Sequence, residues 1–210
     1  YANPWSKTTK AYYGTKLEKM ILKLKVKREP GKLFHYFSGD TELLAIILRR
    51  ATGKTLAEYA SEKLWKKIGA KHDALWCLDH KDGLEKAYCC FNSNARDFAR
   101  FGQLVLNNGK WDGQQVIPSA WLKESLKPAS HLLDSNTKKP IDFYGYQWWL
   151  LKHKDHEVYY MRGLGGQYVF IIPDKDLVIV RLGHKRSKER INNLPADIYL
   201  WLDTGFEVAQ

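Results

Sequence analysis

The chain contains no run of about 18 apolar residues, the length a helix needs to cross a bilayer, so no membrane span is expected. No signal peptide is visible at Tyr1. There is neither an internal repeat nor a low-complexity tract, which sets aside repeat arrays and disordered linkers. Cysteine is scarce: Cys77, Cys89 and Cys90 are all there is. Their number is odd and no metal-ligand spacing surrounds them, so neither a metal nor another cofactor is expected. Adjacent cysteines such as Cys89 and Cys90 rarely bridge each other, because the two Cβ atoms must converge. In a strand they point to opposite faces, one into the core and one away. Acidic residues are also in deficit, with 34 Lys and Arg against 23 Asp and Glu, a formal charge of +11. The basic residues gather at 7–32, 63–71 and 184–190, without a nucleic-acid motif among them. They read as a solvated basic surface, and no nucleic-acid partner is expected.

What is present suffices for one substantial domain: 210 residues, 44% of them apolar. Leu17, Met20, Ile21 and Leu24 have helical spacing, predicting a helix over about 15–25 that Pro30-Gly31 stops. Residues 41–52 read as a buried helix closed by Gly53, with Asp40 and Thr41 as its capping residues. Thr55-Leu56-Ala57-Glu58 is a capping box that opens a second helix, to about Ile68. Residues 84–91 alternate weakly, as a strand would. Asn94-Ala95-Arg96-Asp97 is another capping box, before a helix carrying Phe98, Phe101, Leu104 and Val105. Pro118 falls in the first turn of a short helix. Residues 127–142 read as an exposed loop. Four strands follow, 144–151, 157–162, 167–172 and 177–182. The turn Pro173–Asp176 makes the last two antiparallel neighbours. The spacing of Ile191, Leu194, Ile198 and Trp201 predicts a closing helix over 189–202, with Pro195 as a kink. Residues 1–143 are thus mainly helical, 144–183 antiparallel strands, and 189–202 a final helix. That order predicts an α+β fold, an antiparallel sheet covered by helices.

Two segments could carry chemistry. Tyr36 stands two residues before Ser38 at the mouth of a helix. A Tyr hydroxyl has a pKa of about 10, which cationic neighbours lower, and it can then exchange protons with a nucleophile or a leaving amine. Ser38 can add a hydrogen bond at the same mouth. The plain alternative is that Tyr36 packs with its hydroxyl on water and Ser38 caps the helix. The second segment is Arg162-Gly163-Leu164-Gly165-Gly166-Gln167. Glycines just before a strand let a ligand approach the backbone, or else mark a hairpin or bulge. His153-Lys154-Asp155-His156 reads as a turn rather than a ligand pair. Of Trp148 and Trp149, one packs inward and the other could line a cleft.

Together these stretches resemble the serine β-lactamase-like hydrolases, the family of class C β-lactamases, DD-peptidases and related esterases and amidases. Phe34-x-Tyr36-x-Ser38-x-Asp40-Thr41, Ala95-Arg96-Asp97-Phe98-Ala99-Arg100-Phe101-Gly102, Trp111-x-Gly113, Ile117-Pro118-x-x-Trp121 and Tyr144-Gly145-Tyr146-Gln147-Trp148-Trp149 are similar to the branch of 6-aminohexanoate-dimer hydrolase. The match runs in order from about Pro4 to Gly183. It implies a helix-covered antiparallel sheet and acyl transfer through a Ser nucleophile on small amide, ester or β-lactam-like substrates. It implies Tyr36 as the catalytic acid/base, and Ser38, Arg162, Gly165, Gly166 and Gln167 as substrate-binding. The glycine segment would lie on an edge strand that helps form the oxyanion hole. The Lys or His of that family element is absent, and Arg162 is the only nearby cation. A periplasmic or secreted location is also implied.

The family's Ser-x-x-Lys nucleophile belongs well upstream of Tyr36, where this chain holds none. The chain therefore reads as the C-terminal portion of one β-lactamase-like domain, incomplete at its N-terminus and inactive alone. An N-terminal segment outside these residues would be its partner, and without it an open sheet edge would invite association. Ser135-Asn136-Thr137-Lys138 is a literal match. It has no helical periodicity, stands downstream of Tyr36, and reads as coincidence. The rival reading is a non-catalytic homologue that kept the fold for binding or scaffolding. A third is a basic nucleic-acid-binding module, whose affinity would fall steeply with salt.

Overall fold

The computed structural model describes residues 5–209. Helices α1 (Lys7–Tyr13) and α2 (Leu17–Ile21) lead to α3 (Ser38–Thr52) and α4 (Leu56–Ala60). The last continues as a π-helical turn, Ser61–Trp65. A two-stranded ladder, β1 (Leu75–Trp76) with β2 (Phe91–Asn92), precedes α5 (Ala95–Leu106). The small hairpin β3 (Lys110–Trp111) and β4 (Gln114–Gln115) leads to α6 (Ser119–Ser125). The main sheet follows: β5 (Trp149–His153), β6 (His156–Gly163), β7 (Gln167–Ile172) and β8 (Leu177–Arg181), antiparallel in that order. The hairpin β9 (Arg190–Ile191) and β10 (Leu194–Pro195) leads into α7 (Ala196–Val208).

The expected fold, an antiparallel sheet with helices on it, is present. Strand β7 explains how the layers form. Its apolar residues alternate between two faces, as a strand's period of two demands. Tyr168, Phe170 and Ile172 pack with Ile198, Leu202 and Phe206 of α7. Ile171 packs on the opposite side with Val105 of α5 and Leu122 of α6. Helix α5 comes close enough to the sheet that a Cβ on Gly102 would stand 2.6 Å from Val178 Cγ1. Only a glycine fits that approach. No helix of the described residues is long and apolar enough to cross a membrane.

Several expectations need correcting. Cys89 and Cys90 do form a disulfide. Residues 84–91 are mostly turn, with only Glu85 bridged to Leu78 and Phe91 in β2. Cys90 has φ of 67°, the left-handed region. That turn, rather than an extended strand, lets the two side chains converge. The helix expected over 15–25 is only Leu17–Ile21, and Ser6 caps a further helix, α1, before it. The residue before α3 is Phe37, and no side chain caps that end, so Asp40 and Thr41 are not caps. The Thr55 box closes as expected, with Glu58 reaching back to the Thr55 N–H at 2.8 Å. The Asn94 box is half made: Asn94 accepts from Asp97 N–H, while the Asp97 carboxylate turns elsewhere. Pro118 caps α6 from outside its first turn. The 127–142 segment is not simply exposed, since Ala129 and Ile141 are buried with Tyr144 against Phe34. Residues 190–195 fold as a hairpin, so the closing helix starts at Ala196 and Pro195 caps it rather than kinking it.

Candidate active site

Tyr36 owes its place to the strip before it. Phe34 N–H donates to Leu133 O at 2.8 Å, and Leu133 N–H donates to Lys32 O at 2.9 Å. The Phe34 ring then packs edge-on against Phe143 at 5.3 Å and against Tyr144 at 5.1 Å. Two residues on, Tyr36 projects over the same pad. Its ring stands 5.4 Å from Trp149 and 5.9 Å from Tyr144, and it is 54% exposed. No partner among the described residues hydrogen-bonds its hydroxyl, which is therefore open to a ligand.

Arg162 completes the cluster from β6. Its guanidinium carbon lies 3.7 Å above the Trp149 ring, a cation–π contact. No carboxylate among the described residues pairs with it. Burial pushes the Tyr144 hydroxyl well above its ordinary value, the nearby Tyr36 adds to this, and Arg162 opposes it. Burial likewise pushes Tyr160 up to about 12, again against Arg162. Tyr144 and Tyr160 are thus held neutral. Tyr36 is the exposed member of the group, and Arg162 lies over the Trp149 ring that Tyr36 also contacts.

Ser38 is the first residue of α3, half-buried beside a small recess lined by Met20, Leu24, Phe37 and Tyr88. Gly163 ends β6, and Gly165 and Gly166 turn the chain into β7 with φ of 74° and 84°. The glycine segment is therefore a hairpin between two inner strands, and not on an edge of this sheet. Arg181 braces it by donating to Gly166 O. The Gln167 side chain is engaged: Gly183 N–H donates to its Oε1 at 3.0 Å, and its Nε2 donates to Gly183 O. Arg162 and the glycine turn are contiguous in the chain, and Arg162 meets Tyr36 through Trp149. Ser38 adjoins Tyr36 but faces the recess.

Sequence reasoning did not single out Tyr144 as part of this cluster. Its signal was the aromatic run 143–149, whose inward and outward members a strand pattern would separate. Trp148 does pack inward, stacked on Phe101, and Trp149 faces the cluster. It also missed Gln147, held at φ of 65° with Thr41 Oγ1 donating to its Oε1 at 3.4 Å, which ties α3 to the aromatic run. Ser135 lies in a turn where Lys138 Nζ donates to the Ser135 carbonyl at 2.8 Å. The His153–His156 tip is a turn as expected, with Lys154 and Asp155 at positive φ. His153 and His156 bond Asp203 and Asp174, and no cluster of metal-binding side chains occurs among the described residues.

The architecture is a helix-covered antiparallel sheet, with Tyr36 at the mouth of α3 and a glycine hairpin between the two inner strands. The chain belongs to the beta-lactamase family, which it matches over residues 1–198. It is 33% identical over 153 residues to a 6-aminohexanoate-dimer hydrolase of Paenarthrobacter ureafaciens, an alignment covering 71% of this chain and 38% of that protein. A solved structure from Bacillus anthracis, assigned as a 6-aminohexanoate-dimer hydrolase, superposes with a TM-score of 0.74 at 33% identity. That superposition covers 91% of this chain and 47% of the other. A beta-lactamase from Mycobacterium bovis shares the fold, with a TM-score of 0.63 at 16% identity over 88% of this chain and 66% of that one. The chain thus spans less than half the length of the 6-aminohexanoate-dimer hydrolase relatives it matches.

Proposed function

We propose that these residues form part of a serine hydrolase that works by acyl transfer on small amide or ester substrates, with Tyr36 as its general acid/base. The observation that carries this reading is the cluster itself. An exposed Tyr hydroxyl without a partner stands within one aromatic ring of an Arg that no carboxylate neutralises. Tyr36 is the group of this cluster positioned to take a proton from a nucleophile and return it to a leaving group. The Gly163–Gly166 hairpin leaves backbone close to the same place, where N–H groups can meet a developing oxyanion. Arg162 can also hold an anionic end of the substrate. The amide class is supported by the family and by a relative whose name states that it hydrolyses a 6-aminohexanoate dimer.

The nucleophile lies outside residues 1–210 in this reading. The turn at Ser135 supports setting it aside as a candidate, since helical spacing is what would place Lys beside Ser. The 210-residue chain by itself should therefore show no acyl-transfer turnover. In a longer protein carrying this segment with an upstream Ser-x-x-Lys, Tyr36→Phe should preserve the fold and slow turnover roughly 10²–10⁴-fold. Unchanged turnover of a good ester substrate would remove Tyr36 from this role and favour a binding or scaffold function.

A further inference from the structure

The ladder of β1 and β2 sets Leu75 opposite Asn92 and Trp76 opposite Phe91. One step further in the same register, Cys77 stands opposite Cys90. A hydrogen bond marks that step, Cys77 N–H donating to Cys90 O at 3.1 Å. There the ladder stops, because Cys77 O accepts from Lys86 N–H instead, at 2.9 Å. Opposed residues in an antiparallel pair have Cα atoms roughly 4.5–5.5 Å apart. That lies inside the roughly 4.4–6.8 Å that a disulfide spans. Yet Cys90 is bridged to its own neighbour Cys89, while Cys77 is free and exposed. An accessible thiol therefore stands across the ladder from one half of a disulfide.

We propose that Cys77, Cys89 and Cys90 form a thiol–disulfide exchange site, in which the bridge moves between Cys89–Cys90 and Cys77–Cys90. The Cys77 thiolate attacks Sγ of Cys90. The Cys77–Cys90 bond forms as the Cys89–Cys90 bond breaks, and the electron pair leaves on Cys89 Sγ. Cys89 then takes up the proton that Cys77 gave away. One thiol and one disulfide are present before and after, so the step needs neither oxidant nor reductant. The backbone selects the partner: Cys77 N–H donates to Cys90 O, whereas Cys89 N–H donates to Lys86 O at 3.0 Å.

The exchange would matter to the rest of the molecule through the loop it re-ties. Ala87 of that loop donates its N–H to Glu42 of α3 at 2.8 Å, and Tyr88 lines the recess beside Ser38. Moving the bridge fastens β1 to β2 covalently and releases Cys89 within the loop. The linkage state of the cysteines is thus coupled to the first turns of the helix that follows Tyr36.

The test uses the whole 210-residue chain. Wild-type protein is held at about pH 8.5, the usual condition for thiol–disulfide exchange, then acid-quenched, alkylated and mapped by mass spectrometry. Label should appear on Cys89 as well as Cys77, in proportions independent of protein concentration. Treated with diamide, Cys89→Ser should lose both of its free thiols at monomer mass, and Cys90→Ser should keep both of its own. The proposal is overturned when Cys89→Ser, folded with a cooperative thermal transition, keeps both thiols reactive. Where that variant does not fold, the wild-type map decides, and label confined to Cys77 overturns the proposal.

Discussion

Around β7 the interior is almost wholly apolar, while around the first helices and the β1–β2 ladder it is fastened by carboxylates. Val158, Tyr160, Tyr168, Phe170, Ile172, Ile198, Leu202 and Phe206 form one continuous cluster between sheet and helix. The buried polar residues lie elsewhere. Of the five among the described residues, four are carboxylates, and all four precede residue 98. Each accepts backbone N–H groups from distant chain: Glu42 from Ala87, Asp79 from Leu17, Glu85 from Ala57, and Asp97 from Lys71 and His72, and Asp79 also accepts from nearby Leu84. Long strands satisfy their own backbone through the ladder. Five-residue helices and two-residue strands cannot, and their spare N–H groups must find side chains. Burial of an apolar side chain contributes about 1.5–3 kcal/mol. A hydrogen bond to a charged group contributes a similar amount, about 1.5–3 kcal/mol. The two halves reach comparable stabilisation by different routes. The Tyr36 cluster is built across their junction, with Tyr36 from one and Trp149 and Arg162 from the other.

The comparison breaks hardest in the sheet. Phe170 is fully buried, so Phe170→Ala should destabilise by about 3–5 kcal/mol and lower the urea midpoint. A loss under 1 kcal/mol would mean that the layer is not packed as described. In the other half, Asp97→Ala strands the Lys71 and His72 N–H groups and should cost about 1–3 kcal/mol. Burial pushes Asp97 up, but the Lys71 N–H, the Asn94 amide and His72 outweigh it and hold the carboxyl at about 2. A depressed folded-state value gives stability that is present above the ordinary carboxyl range. That contribution is lost as pH falls from 3.8 towards about 2. Asp97→Asn should flatten this acid limb of the unfolding curve, and an unaltered limb would place the acid sensitivity in another group.

An effect of opposite sign sharpens the contrast within the carboxylate half. Glu42 is completely buried, and the Ala87 N–H donates to its Oε2 at 2.8 Å. Burial raises its pKa from 4.5 to about 7, the Ala87 N–H opposes this, and Asp79 and Glu85 add to it. A carboxyl raised in the folded state favours folding when protonated. Its contribution is full below pH 4.5 and declines as pH rises towards about 7. Glu42→Gln, which stays neutral, should therefore gain on wild type across that window and level off above it. Chemical denaturation of the two proteins from pH 4 to 8 measures the difference. A difference that does not vary with pH would show that Glu42 is ionised throughout.

The sheet half was the more legible in sequence, and the comparison explains why. Runs such as Gln167–Ile172 announce themselves by consecutive β-branched and aromatic residues between turn signals, and the observed strand has those bounds. The Thr55 cap is equally local, since its partners lie three residues apart. Asp97 shows the limit. Its spacing from Asn94 looks like a capping box, yet its carboxylate works on Lys71 and His72, some 25 residues away. Nothing local announces a contact of that range. The cysteines were misread for a related reason: Cys90 adopts a left-handed φ that sequence assigns to glycine or asparagine first. At the candidate site, Tyr36 was visible through its own short motif. Its meeting with Tyr144 and Trp149 depends on Phe34 docking into the 127–144 segment, which composition presents only as a polar loop.

The smallest expected effect falls on that same segment. Ser135-Asn136-Thr137-Lys138 has the spelling of a catalytic motif. For Lys to act as base on Ser, a helix must stack residues i and i+3 on one face. Here Asp134 accepts from the Asn136 and Thr137 N–H groups at 2.9 and 2.7 Å and folds the stretch into a turn instead. Lys138 has φ of 58°, outside any right-handed helix, and its ammonium is spent on the Ser135 carbonyl. The Ser135 hydroxyl takes no part in these bonds. Ser135→Ala should therefore shift stability by no more than about 0.5 kcal/mol, the range for an exposed side chain without a role. It should also leave labelling of the chain by a fluorophosphonate probe unchanged. Probe attached to Ser135 in a peptide map would mean that this turn becomes a helix in the working protein. The junction between the two halves would then hold a nucleophile of its own.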